Sequence, residues 1–302
     1  MQLVSTPAHE LESLVSSSVS NTRKIMHILR NSGLDLQSNK YLRLPPEAYW
    51  AALAQRSVSK LSEPECSELA SLIRSKQARS LSDGPTIITG CNATIQDHRA
   101  VDIVSQCVWE GGYKASVNPD TAGMYRRNVE HALMSIKSSW PEAAVEISIL
   151  VDRIIILDEA DLSASHDHLF GIVFAGTDYV QTPARALQVI LHECGHHSMF
   201  LRSWETSYLI NPDTIVHHPL RPDPRPLSGT LHAAFVLWRM HNGLKRWVEF
   251  AGLGPESEEH QLMNEDGNKL IATLTVLSDH AEWTKDGQRL FAELSRGYEV
   301  NK

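Results

Sequence analysis

The sequence predicts an α+β fold, predominantly helical, in which an HExxH metal helix packs on a second His-bearing helix beside a small β-sheet. Three observations predict it. Apolar residues recur at helical intervals along most of the chain. Short runs rich in β-branched residues, 145–151, 153–157 and 169–175, interrupt that pattern in the middle. The segment His192-Glu193-Cys194-Gly195-His196 then falls inside a further helical stretch. With 302 residues and 42% hydrophobic content, the chain is long enough to bury a sizeable core.

Residues 1–83 are polar and Ser-rich, with helical spacing in pieces: Leu11, Leu14 and Val15, then Ile25, Ile28 and Leu29, then Ala51, Leu53 and Ala54. Pro45-Pro46 breaks this run, and Pro46-Glu47 suits the first turn of the next helix. We read 1–83 as an N-terminal helical region and 84–302, opening on the turn signal Gly84-Pro85, as the metal-binding catalytic domain. Within the latter, 145–151 alternates polar and apolar residues, 153–157 is continuously apolar, and both are predicted strands; 169–175 gives another, ended by a turn at Gly176-Thr177-Asp178.

Composition excludes several classes. A net charge of -8, with 28 basic against 36 acidic residues, leaves no electrostatic footprint for nucleic acid. No apolar run reaches the roughly 18 residues of a membrane span, and the first residues lack a basic then apolar export signal, so a cytoplasmic location and no membrane partner are expected. Cys66, Cys91, Cys107 and Cys194 stand far apart without a CxxC pair, which fits reduced, mostly buried thiols.

Thr182-Pro183 supplies an N-cap and a proline at the first helical position, and Leu187, Ile190 and Leu191 follow at helical intervals. His192 and His196, four apart, lie one turn above the other, with Cβ atoms about 6 Å apart, so two imidazoles can reach one ion. Glu193 beside them is the candidate catalytic residue: in a zinc hydrolase it takes a proton from water, in other chemistries it orients a ligand or substrate. His197 points about 100° away, as an outer or surface histidine, and Cys194 about 160° from His196, as a core thiol.

Two imidazoles need a third ligand. The HxxGxxH continuation is absent, because His197-Ser198-Met199 follows His196. A helix begun after Pro226 carries His232 in its first turns, and Gly229, Ala233 and Ala234 would let it lie close to the metal helix. We take His232 as the third ligand, with Glu205, Glu249, His217 and His218 as alternatives. Two histidines with a glutamate would favour zinc; three nitrogens leave zinc or iron open. Between the helices, Pro219, Pro222, Pro224 and Pro226 stiffen a loop bearing Arg221 and Arg225, and a guanidinium held near a metal suits bidentate capture of a carboxylate. Arg239, seven residues after His232, is a further candidate. His166-Asp167-His168 reads as a polar loop.

Tyr41-Leu42-Arg43-Leu44-Pro45, the HExxH helix, and above all Pro219-Leu220-Arg221-Pro222-Asp223-Pro224-Arg225-Pro226-Leu227-Ser228-Gly229 running into Leu231-His232-Ala233-Ala234-Phe235 resemble the HExxH proteins encoded beside ribosomally synthesised, post-translationally modified peptides. The resemblance covers most of the chain. It implies an iron(II)- and 2-oxoglutarate-dependent dioxygenase that hydroxylates a side-chain β-carbon of a precursor peptide. It further implies that His192, His196 and His232 hold Fe(II), that Arg225 first and Arg221 second clamp the distal carboxylate of 2-oxoglutarate, that Glu193 plays a supporting part, and that 1–83 is a candidate docking part for the peptide. The motif spacing alone favours a different expectation, a Zn(II) metallopeptidase that processes a peptide. A metal-stabilised binding module without catalysis is the third.

Overall fold

In the computed structural model, the described residues are 84–298, except 91, 108–118, 159–161, 167, 168 and 170. The expected helices and docking part of 1–83, the boundary at Pro45-Pro46, and Cys66 and Cys91 lie outside them, as do Asp167 and His168. Among the described residues are β1 (Thr86–Ile88), α1 (Ile95–Cys107), α2 (Pro119–Ser139), α3 (Pro141–Leu150), β2 (Arg153–Leu157), β3 (Ser163–Ala164), β4 (Ile172–Gly176), α4 (Pro183–Glu205), β5 (Ile215–Val216), β6 (Arg225–Pro226), α5 (Leu227–Ala251), α6 (Glu258–His280) and α7 (Lys285–Leu294). The fold is α+β and predominantly helical, with a small sheet.

Two compact units divide these elements, one holding 84–123 and 146–178 and the other 124–145 and 179–298. The first is built on a sheet of order β1-β2-β4-β3, in which β2 pairs in parallel with β1 and β4, and β3 pairs antiparallel with β4. β2 and β4 are buried along their whole lengths, as a strand covered on both faces must be, which explains the unbroken apolar run of Ile154 to Leu157. Ala100, Val101 and Val104 of α1 pack with Ile88, Ile155, Leu157, Ile172 and Phe174 of the sheet. α1 starts with a reciprocal cap: Asp97 N donates to Thr94 Oγ1, and Thr94 N donates to Asp97 Oδ2 at 2.7 Å. The other Asp97 oxygen receives Arg153 Nη1 at 2.8 Å, which pairs the buried guanidinium at the start of β2.

One expectation is overturned. Residues 145–150 are not a strand but the end of α3. The helix begins on Pro141, a residue suited to the first helical position, and buries Ala143, Glu146, Ile147 and Leu150 at spacings of three and four. Val145, which a strand face would have buried, is 49% exposed, while Glu146 is 2% exposed. The alternation was coincidental, and the longer period that includes Ala143 prevailed. The third predicted strand is present but shorter, as β4, and the turn after it is a 3-10 segment, Thr177–Tyr179.

The second unit is helical. α4 opens as the sequence predicts, with Thr182 Oγ1 accepting from Arg185 N and Pro183 leading the first turn. It packs on α5, and α5 packs on α6. Phe235, Leu231, Leu270, Leu274, Leu277, Leu290 and Leu294 form the centre of this core. Gly229 is exposed and has nothing within 4 Å of a Cβ built on it, so it is not what brings the helices together. Gly195 and Gly243 are. A Cβ on Gly195 would lie 3.0 Å from Arg239 Cδ and Val236 Cγ1, and one on Gly243 would overlap Leu191 Cδ1. α5 has no side-chain cap; instead Leu227 N donates to Thr214 O and Ser228 N to Pro212 O, which ties its start to the chain entering the β5–β6 hairpin.

Leu191 is fully buried and has no free side toward which to turn. Overpacking by a Gly243→Ala methyl costs ~1–3 kcal/mol and exceeds the ~0.5–1 kcal/mol recovered by removing glycine from a helix. We therefore expect a lower chemical-unfolding midpoint for this variant. An unchanged or higher one would show that Leu191 yields without cost.

Candidate metal centre

α4 is buried nearly all round. Among its described side chains, those not buried are Arg185, Gln188, His192, His196, Phe200 and Ser203, with Pro183 at its start. From Gln188 to Phe200 they are four apart and form one stripe along the helix. The motif histidines therefore occupy the face of α4 that the core leaves open. A site on any other face would be sealed.

On that stripe His192 Nε2 and His196 Nε2 stand 3.1 Å apart, within the ~4.2 Å that two metal–nitrogen bonds of ~2.1 Å can span. Glu193 Oε1 lies 3.9 Å from His192 Nε2, and one ligand atom from each of the three residues fits within 4.8 Å of the others. His232 comes from α5: its ring centroid is 6.0 Å from that of His196, with Phe200 packed against both, at 6.1 Å from His196 and 5.8 Å from His232. Among the described residues the tight donor group is thus His192, Glu193 and His196, and His232 stands beside it on α5 without being part of it.

The electrostatics suit ligands rather than acids. Burial pushes His192 down to about 4, helped by the positive charge of Arg221, although 33% of the side-chain surface remains exposed. Burial and then the neighbouring His192 push His196 down to about 3, and burial brings His232 to about 4. All three are neutral at physiological pH, with a lone pair available for a cation. This donor set fits a divalent transition metal: nitrogen donors accept zinc or iron(II), and the nearby glutamate adds an oxygen donor.

The proline loop is not extended throughout. Its ends pair as β5 and β6, with Val216 opposite Arg225, and the segment between them turns at His218, whose Nδ1 accepts from Leu220 N and whose carbonyl accepts from Arg221 N. Burial and then Arg221 lower the Arg225 pKa; His218 is lowered by burial and then by Arg225 and Arg221. Arg221 and Arg225 thus lie within electrostatic reach of each other and of His218, and Arg221 within reach of His192. The other candidates stand apart from this arrangement or lie outside what is described. Glu249 and His217 are exposed, His218 is engaged with its own turn, and the Glu205 side chain is outside the described ones. Arg239 is fully buried behind α4, over the Trp140 and Phe235 rings and 4.0 Å from Cys194 Sγ, and does not reach the open stripe. Cys194 and His197 are both fully buried, so His197 is not a surface histidine.

Sequence reasoning missed three residues on this surface: Phe200, Gln188 and Met240. The first two sit four residues from a motif histidine, so helical spacing alone marks them. Gln188 Nε2 donates to the buried Asp266 Oδ2 of α6 at 2.7 Å, and burial pushes that carboxyl up to about 6. Met240 lies eight residues after His232 on α5, with its sulfur 3.1 Å from His192 Nδ1. No protein-family model matches the chain, and no curated protein matches it.

Two outcomes follow. His192, His196 and His232 have folded pKa values below the ordinary 6.5, so between pH 6.5 and about 4 the unfolded chain binds more protons than the native one. The metal-free protein should lose stability as pH falls through that window; Asp266, whose raised pKa has the opposite sign, offsets only part of the loss. Thermal unfolding at a series of pH values reads this, and His196→Leu should flatten the slope. Separately, His232→Ala should abolish stoichiometric metal binding, measured by elemental analysis after reconstitution; unchanged metal content would mean the third ligand is another residue.

Proposed function

We propose that this chain is an iron(II)- and 2-oxoglutarate-dependent dioxygenase that hydroxylates a side-chain β-carbon of a ribosomally made precursor peptide. The observation that carries the reading is Arg221, in the connection between β5 and β6 and close enough to His192 to help lower its pKa, with Arg225 within electrostatic reach of Arg221. A guanidinium near the donors suits a dicarboxylate co-substrate, whose distal carboxylate it can pair in two parallel hydrogen bonds. The resemblance of the proline loop and the following helix supports the same assignment.

His192, His196 and His232 would hold the iron, which leaves other coordination positions for co-substrates. When iron is bound, the chemistry supplied is oxidation of 2-oxoglutarate by dioxygen to succinate and carbon dioxide, with one oxygen atom inserted into a C–H bond. The protein's own contribution is positional. A guanidinium fork matches a carboxylate in two parallel hydrogen bonds, so Arg225 or Arg221 fixes the distal end of the co-substrate. Glu193, almost fully buried, steadies the donors beside it rather than meeting bulk water. Among the described residues no helix is long and apolar enough to cross a membrane; a cytoplasmic location, where a precursor peptide is made, completes the proposal.

A zinc metallopeptidase remains the second reading, because Glu193 joins the two motif histidines in the tightest donor group. The two readings separate cleanly. The protein is reconstituted anaerobically with Fe(II) or Zn(II), then incubated with the precursor peptide encoded beside it, with and without 2-oxoglutarate and air, and the peptide is weighed by mass spectrometry. We expect a gain of one oxygen that requires iron, dioxygen and 2-oxoglutarate together. Peptide cleavage with zinc and no co-substrate would sink the oxygenase.

A further inference from the structure

Metal-ligating histidines ordinarily donate their second ring N–H to a carboxylate, a backbone carbonyl or water, which fixes the tautomer and the ring plane. His192 departs from that habit. Its Nε2 faces His196 Nε2 at 3.1 Å, and its Nδ1 lies 3.1 Å from the sulfur of Met240. A thioether has no proton to give and accepts only weakly. The contact is therefore a hydrogen bond only if His192 carries its proton on Nδ1, and that leaves the Nε2 lone pair directed toward His196 and the metal position.

The backbone explains why Met240 is there. α5 runs antiparallel to α4, with Leu191 against Gly243, Gly195 against Val236 and Arg239, and His196 near His232. Met240 follows His232 by eight residues, a little over two turns and about 80° further round α5, and both reach α4, Met240 at His192 and His232 at His196. The two residues thus address successive turns of the α4 stripe. The unbranched, rotatable side chain of methionine spans the gap at the upper turn, where a branched aliphatic would not.

We infer that Met240 is a positioning residue for the metal centre: its sulfur accepts the Nδ1–H of His192 and thereby holds Nε2 as the ligand atom. The inference rests on His192 being a metal ligand. Because a thioether draws less on the N–H than a carboxylate does, His192 is steered without being made strongly basic, and a carbonyl oxygen in place of the sulfur should preserve the steering.

The test reads the tautomer first. In the native metal-free protein, labelled with 15N-histidine, two-bond 1H–15N correlations at pH 7.5 should show His192 protonated at Nδ1. Met240→Leu, similar in volume and without an acceptor, should shift it toward the Nε2–H form. Co(II) affinity, by competition with a chromophoric chelator, should fall about tenfold, the lower end of the effect of losing such a partner, with a change in the cobalt d–d spectrum. Met240→Gln should restore the Nδ1–H tautomer and most of the affinity, which a packing role alone would not do. Protonation at Nε2 in the native protein overturns the inference without need of any variant. So does a Met240→Leu protein that keeps both the Nδ1–H tautomer and its cobalt affinity. If the native chain bound no metal, the metal reading itself would fail, while the tautomer would still decide the hydrogen bond.

Discussion

Gly195 and Gly243 leave bare backbone where α4 and α5 meet, and Val236, Arg239 and Leu191 fill the space that side chains there would occupy. That close approach sets the distance at which α5 delivers His232 to the pair on α4. A helix pair separated by ordinary side chains runs ~8–10 Å between axes. With glycine on both sides of the seam, imidazoles and a thioether of ordinary length converge. The glycine between the motif histidines is thus a packing residue that lets the two histidine-bearing helices approach.

The surroundings of α4 follow from the same seam. A helix buried on nearly every side must satisfy or pair its polar groups. Arg239 is stacked on Trp140 and Phe235, and Gln188 reaches Asp266 on α6. Along the middle of the helix, among its described side chains, only the stripe of Gln188, His192, His196 and Phe200 is left partly open, and Arg221 lies within electrostatic reach of its His192.

Much of this was legible in the sequence because it rests on local rules. Thr182-Pro183 announces the start of α4, and the four-residue spacing of His192 and His196 places them on one face whatever the tertiary structure. The ring of His232 does come to 6.0 Å from that of His196. What failed was whatever depends on packing between elements. Residues 145–151 alternate as a strand does, but Ala143 and Leu150 complete a helical period that only burial reveals. Gly229 looked like the small residue of a helix seam, yet the seam lies a full fourteen positions further on, at Gly243. Arg239 shares the spacing of a site residue and points to the core instead. Met240 carried no signal, because a methionine on an apolar helix is ordinarily only filling.

The β5–β6 hairpin separates two tasks. The donors sit on α4 and α5, long helices whose register the core enforces, whereas Arg221 lies in the connection between Val216 and Arg225. Loops tolerate insertion and deletion far better than helix interiors do. A lineage could therefore lengthen or shorten that connection, moving one guanidinium against the other, while the two histidine-bearing helices stayed as they were. In such a scaffold the charge of the loop and the spacing of the histidines can evolve on separate clocks.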